Sequence, residues 1–202
     1  MKAVVFYEHG TPDVFRYEDV PDPFPGRGEV LIEVRATSIN HIDVFLRRGM
    51  PGIKVPMPKI AGSDASGIIR EVGPDVTSLK AGQRVTIDPC VSCGRCEFCS
   101  AGFGSQCTSY HMIGEQTDGA YAELVKVPAH IVLPIPDSLS FEEAAAAPLV
   151  FLTAWSMMVG KGNIRPGEDV LILGAGAGVC TAAIQIAKMA GCRVFAAASS
   201  NE

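Results

Sequence analysis

Four closely spaced cysteines are the residues of this chain with the clearest chemistry. They are Cys93, Cys96, Cys99 and Cys107, separated by two, two and seven residues. Four thiolates in so short a segment can form a closed tetrahedral shell around one zinc ion, which leaves no position for water or substrate. The spacing therefore predicts a structural zinc site, and any reaction would take place elsewhere in the molecule.

Two other uses of these cysteines fit the sequence less well. Cys90 extends the series into a ladder with two residues in every gap, but a bacterial iron–sulfur run needs three residues before its last cysteine and a proline after it. Here two residues precede Cys99 and Ser100 follows it. A disulfide framework requires an oxidising compartment, and nothing in the sequence indicates secretion. Cys90, Cys180 and Cys192 are predicted to be small buried hydrophobic residues.

The composition of the 202 residues is that of a globular protein, with 48% hydrophobic residues and a formal net charge of −5. The acidic balance and the lack of a basic block argue against nucleic acid or a membrane surface as the main partner. Two uncharged stretches, 144–160 and 170–187, are interpreted as buried core segments, because Pro148 breaks the first and glycines interrupt the second. The N-terminal apolar run is too short for a signal peptide. We therefore expect a cytoplasmic protein, a compartment that suits metal-bound thiolates better than disulfides.

The elements expected to position the zinc site are short strands. Glycine and proline punctuate the first 135 or so residues, and segments 29–34, 67–73 and 83–87 have the composition of strands. The pattern then changes near 134–137. Ser140-Phe141-Glu142-Glu143 is a capping box that predicts the start of an alanine-rich helix. A second helix is predicted from about 149 to 159.

A strand–helix–strand unit is predicted in the last third of the chain. Segment 169–173 carries an uninterrupted apolar run, as in a parallel strand covered on both faces. A glycine-rich turn, 174–178, leads into a helix with apolar residues at helical spacing, and 193–198 form a second strand. This order is typical of a dinucleotide-binding unit, in which backbone approaches a pyrophosphate at a helix N-terminus. The literal G-x-G-x-x-G does not occur, and such glycines also serve packing alone.

The order of these motifs resembles that of the medium-chain zinc-type alcohol dehydrogenase and quinone oxidoreductase superfamily. The likeness spans the whole chain and is carried by four segments: Gly62 to Val85, Cys93 to Cys107, Gly119 to Glu123, and Pro148 to Trp155. The resemblance implies a mixed fold, in which a GroES-like β-barrel domain is followed by the first βαβ unit of a Rossmann (α/β, parallel sheet) domain. The expected bounds are 1–135 for the first domain, with a zinc lobe at about 90–108, and 136–202 for the incomplete cofactor-binding domain.

The catalytic zinc of the alcohol dehydrogenase branch has no complete ligand set in this sequence. The resemblance places Asn40 and Ser63 where that branch has a cysteine and a histidine, and Asp64 where it has a glutamate. The remaining positions correspond to apolar residues: Val150 or Phe151 for the third ligand, and Ile42 and Phe45 for the proton relay. A catalytic zinc needs three protein ligands and an open position. The sequence therefore predicts that the structural ion is the one zinc of the chain.

A member of this superfamily without the catalytic zinc resembles the quinone oxidoreductase and enoyl reductase branch. The resemblance implies an NADPH-dependent reductase of quinones or enones (α,β-unsaturated carbonyl compounds) that works by direct hydride transfer. Three catalytic residues are predicted. Asn40 would hydrogen-bond a substrate carbonyl or orient the nicotinamide carboxamide, Asp64 would hydrogen-bond locally, and Thr153 would contact the nicotinamide ring. A simple cap or turn role is the alternative for Asn40 and Thr153.

NADP(H) is predicted to be preferred over NAD(H). An acidic residue about 20 residues past the glycine turn binds the ribose 2′-hydroxyl in NAD enzymes, and Glu202 comes slightly late for that role. The segment after the second strand is neutral instead and can donate hydrogen bonds to a phosphate. The predicted cofactor-binding residues are Thr153, Gly174, Gly176, Ala177, Gly178, Val179, Ser199 and Ser200.

Two other functions remain open on the sequence alone. A zinc-dependent alcohol dehydrogenase with atypical ligands, such as His41, Asp43 and Asp64, would bind two zinc ions per chain. Local hydrogen bonding is the role predicted for these three residues. A non-catalytic zinc- or nucleotide-binding protein would keep the fold without the activity. Members of the superfamily are considerably longer than this chain, so the resemblance also implies a C-terminal truncation, and a homodimer or homotetramer for the full-length protein.

Overall fold

The computed structural model describes residues 1–199, which form two compact units. The first unit is Met1–Ala146 and the second begins at Ala147. Antiparallel strands dominate the first unit, and the second contains a parallel strand pair with helices. This is the mixed architecture that the sequence predicts.

The first unit is built from ten short strands within the described residues. They are β1 (Lys2–Phe6), β2 (Arg16–Asp19), β3 (Glu29–Ala36), β4 (Lys59–Ile60), β5 (Ser66–Val72), β6 (Arg84–Ile87), β7 (Cys90–Val91), β8 (His111–Met112), β9 (Leu124–Pro128) and β10 (Val132–Pro134). Five form one sheet in the order β10-β6-β5-β3-β9, three form another in the order β2-β1-β4, and β7 pairs with β8. The predicted strands 29–34, 67–73 and 83–87 are confirmed as β3, β5 and β6.

The core of the first unit lies on the five-stranded sheet. β3 is flanked by β5 and β9, both antiparallel to it. Its residues Val30, Leu31 and Ile32 are all buried, so this part of the strand is covered on both faces. Full burial of one such aliphatic side chain contributes about 1.5–3 kcal/mol. This rigid sheet carries the loops on which the candidate site residues lie.

Three α-helices belong to the first unit: α1 (His41–Arg48), α2 (Glu97–Ser100) and α3 (Phe141–Ala146). The predicted capping box of α3 is present, because the Glu143 N–H donates to Ser140 Oγ at 3.2 Å and the Ser140 N–H donates to the Glu143 carboxylate at 2.9 Å. α3 contacts β3 and β5, and the Ser66 hydroxyl donates to the Phe141 carbonyl. These contacts place α3 in the first unit, and the compact units divide after Ala146. The domain bounds 1–135 and 136–202 stay a prediction.

The second unit contains α4 (Pro148–Trp155), β11 (Asp169–Leu173), α5 (Gly178–Met189) and β12 (Arg193–Ala197). β11 and β12 are parallel and in register from Asp169 opposite Arg193 to Leu173 opposite Ala197. The predicted βαβ unit is therefore present. α4 begins at Pro148, one residue before the predicted start at about 149, and a π-helical turn at 156–161 extends it slightly beyond the predicted end at 159.

The prediction that β11 is covered on both faces is wrong for the described residues. Ile172 is buried against α5 and α4, whereas Leu171 and Leu173 are 64% and 69% exposed. Side chains of a strand point alternately to opposite faces, so the described part of the chain covers only the face that carries Ile172.

The helical segment Phe141–Lys161 is long and apolar enough to cross a membrane by length and composition alone. It exceeds the predicted apolar stretch 144–160 because α3 starts at Phe141 and runs almost directly into α4. The predicted burial of this stretch is not met in the described residues, since 17% of its most apolar window is buried. One such helix is nevertheless weak evidence for a membrane span, because core helices of globular proteins meet the same criterion.

Candidate functional site

The four predicted zinc ligands lie together in the first unit. They lie in the lobe between β7 and β8, where α2 supplies Cys99 and the flanking loops supply Cys93, Cys96 and Cys107. Their sulfur atoms all lie within 4.8 Å of one another, with Cys93 and Cys99 at 4.0 Å and Cys96 and Cys99 at 3.5 Å. A tetrahedral zinc with bonds of about 2.3 Å places its sulfurs about 3.8 Å apart. The donor set and its spacing therefore fit one zinc ion.

Backbone N–H groups of the lobe surround the sulfurs and favour the thiolate form. The N–H groups of Cys93 and Ser109 both donate to Cys107 Sγ at 3.3 Å. The backbone N–H of Cys99 is the main reason why the pKa of Cys96 is lowered to about 6, and the N–H of Arg95 likewise lowers the pKa of Cys93. Zinc binds cysteine as the thiolate, so the folded lobe favours the metal-binding form of Cys93 and Cys96, whereas desolvation raises the pKa of Cys99 to about 11.

Cys90 has a different environment from the four clustered cysteines. Its sulfur accepts a hydrogen bond from the Tyr110 hydroxyl at 3.1 Å, and burial raises the pKa of its thiol. Among residues 1–199, the clustered group of possible metal ligands contains only Cys93, Cys96, Cys99 and Cys107. The structure thus separates Cys90 from the ligand set that the spacing predicts.

A second polar cluster connects Asn40 with Asp64. Asn40 precedes α1, and its side-chain nitrogen donates to Asp64 Oδ2 at 2.8 Å and to Ser38 Oγ at 3.1 Å. The Ser38 hydroxyl donates to the same carboxylate oxygen at 2.6 Å. A carboxylate only accepts hydrogen bonds, so the amide nitrogen of Asn40 must face it. Both amide hydrogens of Asn40 are therefore committed within the protein, which argues against the predicted bond from Asn40 to a substrate carbonyl.

Asp43 holds this cluster in place through hydrogen bonds, which is the role predicted for it, although the sequence did not identify its partners. Its carboxylate accepts hydrogen bonds from the Asn40 N–H at 2.8 Å, the Gly62 N–H at 3.2 Å and the Tyr121 hydroxyl at 2.9 Å. Burial raises the pKa of Asp43, and the charge of Asp64 acts in the same direction, while the three donors oppose both effects. The signal available in the sequence is the spacing Asn40-x-x-Asp43, which is that of a capping box.

The segment from Gly62 to Asp64 is fixed by close backbone packing. Gly62 has a φ of +99°, and a side chain there would overlap the ring of Tyr121. Its carbonyl accepts a hydrogen bond from the Ala120 N–H at 2.9 Å. A glycine is required by both the backbone angle and the ring. Asp64, which is fully buried, is held in one position as a result.

Replacement of Tyr121 by Phe is expected to lower the free energy of unfolding by about 1–3 kcal/mol at pH 7, because a buried carboxylate loses one donor. The hydrogen bond from the Tyr121 hydroxyl favours the charged form of Asp43. Its contribution to the free energy of unfolding is therefore present when Asp43 is ionised and is lost when Asp43 is protonated. The folded pKa of Asp43 lies above 3.8. Urea unfolding should therefore show a smaller difference between wild type and Tyr121→Phe at pH 3.8 than at pH 7. An equal difference at the two pH values would contradict this role.

The predicted cofactor residues in the second unit surround the turn between β11 and α5. Gly174 has a φ of +75°, and its N–H and that of Ala175 both donate to the Ala197 carbonyl at 2.9 Å. Ala177 precedes the first residue of α5, Gly178. The turn is exposed at Gly174, Gly176, Ala177 and Gly178, and Val179 is half-buried.

Gly176 differs from the other glycines of this turn, because neither its backbone angle nor a neighbouring protein atom requires a glycine there. Its φ lies outside the left-handed region, and a Cβ added there would meet no atom within 4 Å. A Cβ added at Gly178, by contrast, would lie 3.2 Å from a methyl carbon of Val150. The open space beside Gly176 is the feature expected where backbone must approach a ligand closely.

The other predicted cofactor residues are less informative. The Thr153 hydroxyl donates to the Leu149 carbonyl at 2.8 Å within α4, which matches the local role that was the alternative for this residue. Ser199 is exposed after the end of β12. Ser200 lies outside the described residues.

Comparisons with known proteins relate both units to one group of enzymes. The family described as alcohol dehydrogenase GroES-like domain matches residues 26–137. The chain is 38% identical over 197 residues to an alcohol dehydrogenase of Geobacillus stearothermophilus, a match that covers 97% of this chain and 57% of that protein. It is 34% identical to an acryloyl-coenzyme A reductase of Sulfurisphaera tokodaii, with coverage of 100% and 60%, and 30% identical to the quinone oxidoreductase of Homo sapiens, with coverage of 100% and 54%.

Solved structures give the same result for the fold. A crystal structure of an NAD-dependent alcohol dehydrogenase, 49% identical, matches with a TM-score of 0.96 over 99% of this chain and 58% of that one. The Escherichia coli quinone oxidoreductase complexed with NADPH, 27% identical, matches with a TM-score of 0.80 over 100% of this chain and 53% of that one. The predicted combination of a GroES-like domain and part of a Rossmann-like domain is thereby confirmed. The chain spans little more than half the length of these relatives.

Proposed function

The chain belongs to the zinc-type alcohol dehydrogenase and quinone oxidoreductase superfamily, and from this membership we propose that the whole protein is an NADPH-dependent reductase of quinones or enones. In this proposal one structural zinc is bound by Cys93, Cys96, Cys99 and Cys107, and no catalytic zinc takes part. The observation that carries the proposal is the internally hydrogen-bonded cluster of Asn40 and Asp64.

The chemistry of this cluster argues against a catalytic metal site. Asn40 turns its amide nitrogen toward Asp64, and an amide nitrogen is not a metal ligand. Ser63 is a neutral hydroxyl, so Asp64 is the one anionic donor of the three. Zinc sites use cysteine, histidine and carboxylate ligands in sets of at least three. Oxidation of an alcohol needs such a Lewis acid to favour the alkoxide, whereas reduction of a conjugated carbonyl needs a hydride and a hydrogen bond to the oxygen.

The turn between β11 and α5 is the proposed site for the cofactor pyrophosphate. The predicted residues of this site are Gly174, Gly176, Ala177, Gly178 and Val179. The backbone N–H groups of Gly176, Gly178 and Val179 at the start of α5 would hold the pyrophosphate, since those of Gly174 and Ala177 donate to carbonyls within the protein. When bound, NADPH supplies the hydride. The chain contributes the open space at Gly176 and the positive end of the α5 dipole, which attracts phosphate.

A preference for NADPH over NADH is part of the proposal. Ser199 and Ser200 follow β12 and are neutral donors where an acidic residue would favour NADH. The E. coli quinone oxidoreductase was solved with NADPH, but another similar structure is described as NAD-dependent. The ratio of kcat/KM for the two cofactors, measured on the whole protein, should favour NADPH. A higher kcat/KM with NADH than with NADPH would refute the assignment. It would make Glu202 the candidate acidic residue for the ribose 2′-hydroxyl.

The proposed activity is tested by following NADPH oxidation with 1,4-benzoquinone and 2-cyclohexenone as acceptors. Turnover of either is the expected result, since both place negative charge on oxygen when a hydride is added. The lack of turnover with any acceptor would favour a non-catalytic zinc- or nucleotide-binding protein.

We propose the cytoplasm as the compartment of the whole protein, since zinc-bound thiolates suit a reducing environment. We further propose a homodimer or homotetramer of the whole protein.

A zinc-dependent alcohol dehydrogenase is the second candidate, and the names of several relatives favour it. It predicts two zinc ions per chain, because the lobe and the reaction would each need one. Ethanol or benzyl alcohol oxidation that a chelator abolishes would support this candidate over the reductase.

A further inference from the structure

Two of the four clustered cysteines, Cys96 and Cys99, are placed so that their sulfurs could bond to each other. Cys96 directly precedes α2 and Cys99 lies within it, so a single turn of the chain joins them. Their sulfur atoms are 3.5 Å apart. A disulfide bond has its sulfurs about 2.05 Å apart, so an approach of about 1.5 Å is needed to form one. Rotation of the two side chains supplies most of that movement.

The same pair is accessible from solvent, and the other two cysteines are less suited to the reaction. Cys96 and Cys99 are half-buried, whereas Cys107 is buried. Cys107 is also held in place, because its sulfur accepts hydrogen bonds from two backbone N–H groups. Cys93 is half-buried, but its sulfur lies 4.0 Å from that of Cys99. Access and short distance are therefore combined in Cys96 and Cys99.

We propose that Cys96 and Cys99 form a site of reversible oxidation, at which a small hydroperoxide converts the two zinc ligands into a disulfide and releases the metal. Hydrogen peroxide is the simplest member of this class, and it is small enough to reach a half-buried sulfur. Thiolates that solvent reaches are the cysteines that peroxides oxidise. This inference rests on the structural zinc of the proposed function and is independent of the reductase activity.

The peroxide is the only oxidant that the reaction needs. One of the two thiolates attacks the O–O bond, which forms an S–O bond, expels hydroxide and leaves a sulfenic acid. The second thiolate attacks the sulfenic sulfur, which forms the S–S bond and expels a second hydroxide. The two hydroxides take two protons from solvent. The sulfurs thus lose two electrons, and hydrogen peroxide is reduced to two water molecules.

Release of zinc follows from the loss of two ligands. Cys93 and Cys107 would remain, and a structural zinc site needs four protein ligands. Few side chains of the lobe are buried, so the oxidised lobe should open as a metal-free lobe does. Cys90 is not expected to take part, because its sulfur accepts a hydrogen bond from the Tyr110 hydroxyl and lies outside the clustered group.

The positions of arginine and lysine in the sequence allow the oxidised pair to be identified by mass spectrometry. Trypsin cleaves after Arg84, Arg95 and Lys126, so Cys90 and Cys93 fall in peptide 85–95, and Cys96, Cys99 and Cys107 fall in peptide 96–126. A disulfide between Cys96 and Cys99 therefore lies within one peptide. A disulfide from Cys93 to any of the other three ligands joins two peptides.

The experiment treats the zinc-loaded whole protein with hydrogen peroxide, blocks the remaining thiols with iodoacetamide and digests the unfolded protein without a reductant. Peptide 96–126 should be two hydrogens lighter than its reduced form before alkylation and should carry one alkyl group, on Cys107. Fragmentation between Phe103 and Cys107 locates that group. A chromogenic chelator should detect about one zinc ion released per disulfide formed. Dithiothreitol followed by zinc should restore the starting state.

Several results would overturn the proposal. A disulfide that joins peptides 85–95 and 96–126, or one that lies within 85–95, would identify a different reactive pair. Zinc release without a disulfide, or complete retention of zinc, would exclude the site altogether. Cys90→Ser is the matched control and should give the same disulfide and the same zinc release as wild type. Protection of Cys90→Ser from oxidation would make Cys90 the reacting thiol and refute the assignment.

Failure of the proposed function gives a different pattern from failure of this inference. The zinc content of the untreated protein is measured first, and a value near zero would refute the structural zinc. The disulfide then decides the inference: its formation between Cys96 and Cys99 would still support the oxidation site, and its absence would refute it. If the protein holds zinc but reduces no acceptor, the reductase function fails, and the disulfide and zinc release decide the inference as before.

Discussion

Replacement of Cys107 by Ser is expected to reduce the zinc content from about one ion per chain to a small fraction of that value. Cys107 is the most buried of the four cysteines and accepts hydrogen bonds from two backbone N–H groups. A serine hydroxyl is a far poorer zinc ligand than a thiolate, and three remaining ligands do not close the shell. Elemental analysis after dialysis against a weak chelator measures the effect.

The same substitution is expected to unfold the lobe while the five-stranded sheet remains. The lobe contains only the short elements β7, α2 and β8, and few of its side chains are buried, so the metal supplies most of its stability. Limited proteolysis should show new cleavage between Ser92 and Tyr110 in Cys107→Ser. Cys90→Ser is the matched control and should keep both zinc and protease resistance, since Cys90 contacts Tyr110 and lies apart from the clustered sulfurs. Zinc loss from Cys90→Ser together with retention in Cys107→Ser would contradict the ligand assignment.

A second large effect is expected for Gly176→Ala, which should raise the NADPH Kd of the whole protein about tenfold or more. The added methyl group meets no protein atom within 4 Å and needs no left-handed backbone angle. The chain should therefore fold as well as wild type, or gain about 0.4–1 kcal/mol from the lower entropy of its unfolded state. The methyl group would occupy the space proposed for the pyrophosphate, so the loss should appear in cofactor binding alone. Fluorescence titration with NADPH measures it.

Gly160→Ala is the matched control for Gly176→Ala. A methyl group added at Gly160 would also meet no atom within 4 Å, and the backbone there has no left-handed angle. Gly160 lies in the π-helical turn after α4, however, and not at the start of α5. Its substitution should leave NADPH binding unchanged. If Gly176→Ala binds NADPH as tightly as wild type does, the pyrophosphate does not lie against this turn, and the cofactor site must be reassigned.

Local patterns in the sequence predicted most of the elements around the two candidate sites. The spacing of the four cysteines, the capping box at Ser140 and the order of β11, turn and α5 depend on residues close in the chain. Short-range geometry fixes such features, because turn chemistry, caps and metal spacing act over a few residues. The predicted ends of strands and helices differ from the observed ones by a few residues at most.

Long-range partners were the part that the sequence did not reveal. The bond from Asn40 to Asp64 joins residues 24 apart in the chain, and the bond from Tyr121 to Asp43 joins residues 78 apart. A single sequence contains no pattern that pairs such side chains, so the commitment of both Asn40 hydrogens was invisible. The place of α3 in the first unit depends on contacts of the same kind, since α3 packs against β3 and β5.

The central claim, a reductase that uses one structural zinc and no catalytic zinc, is tested most directly by measuring zinc per chain and enone reduction on the same sample of the whole protein. We predict about one zinc ion per chain in protein that reduces 2-cyclohexenone with NADPH. We also predict that a chelator exposure too brief to empty the lobe leaves this rate unchanged. A second zinc ion per chain, whose selective removal abolishes turnover while the lobe keeps its own ion, would contradict the claim.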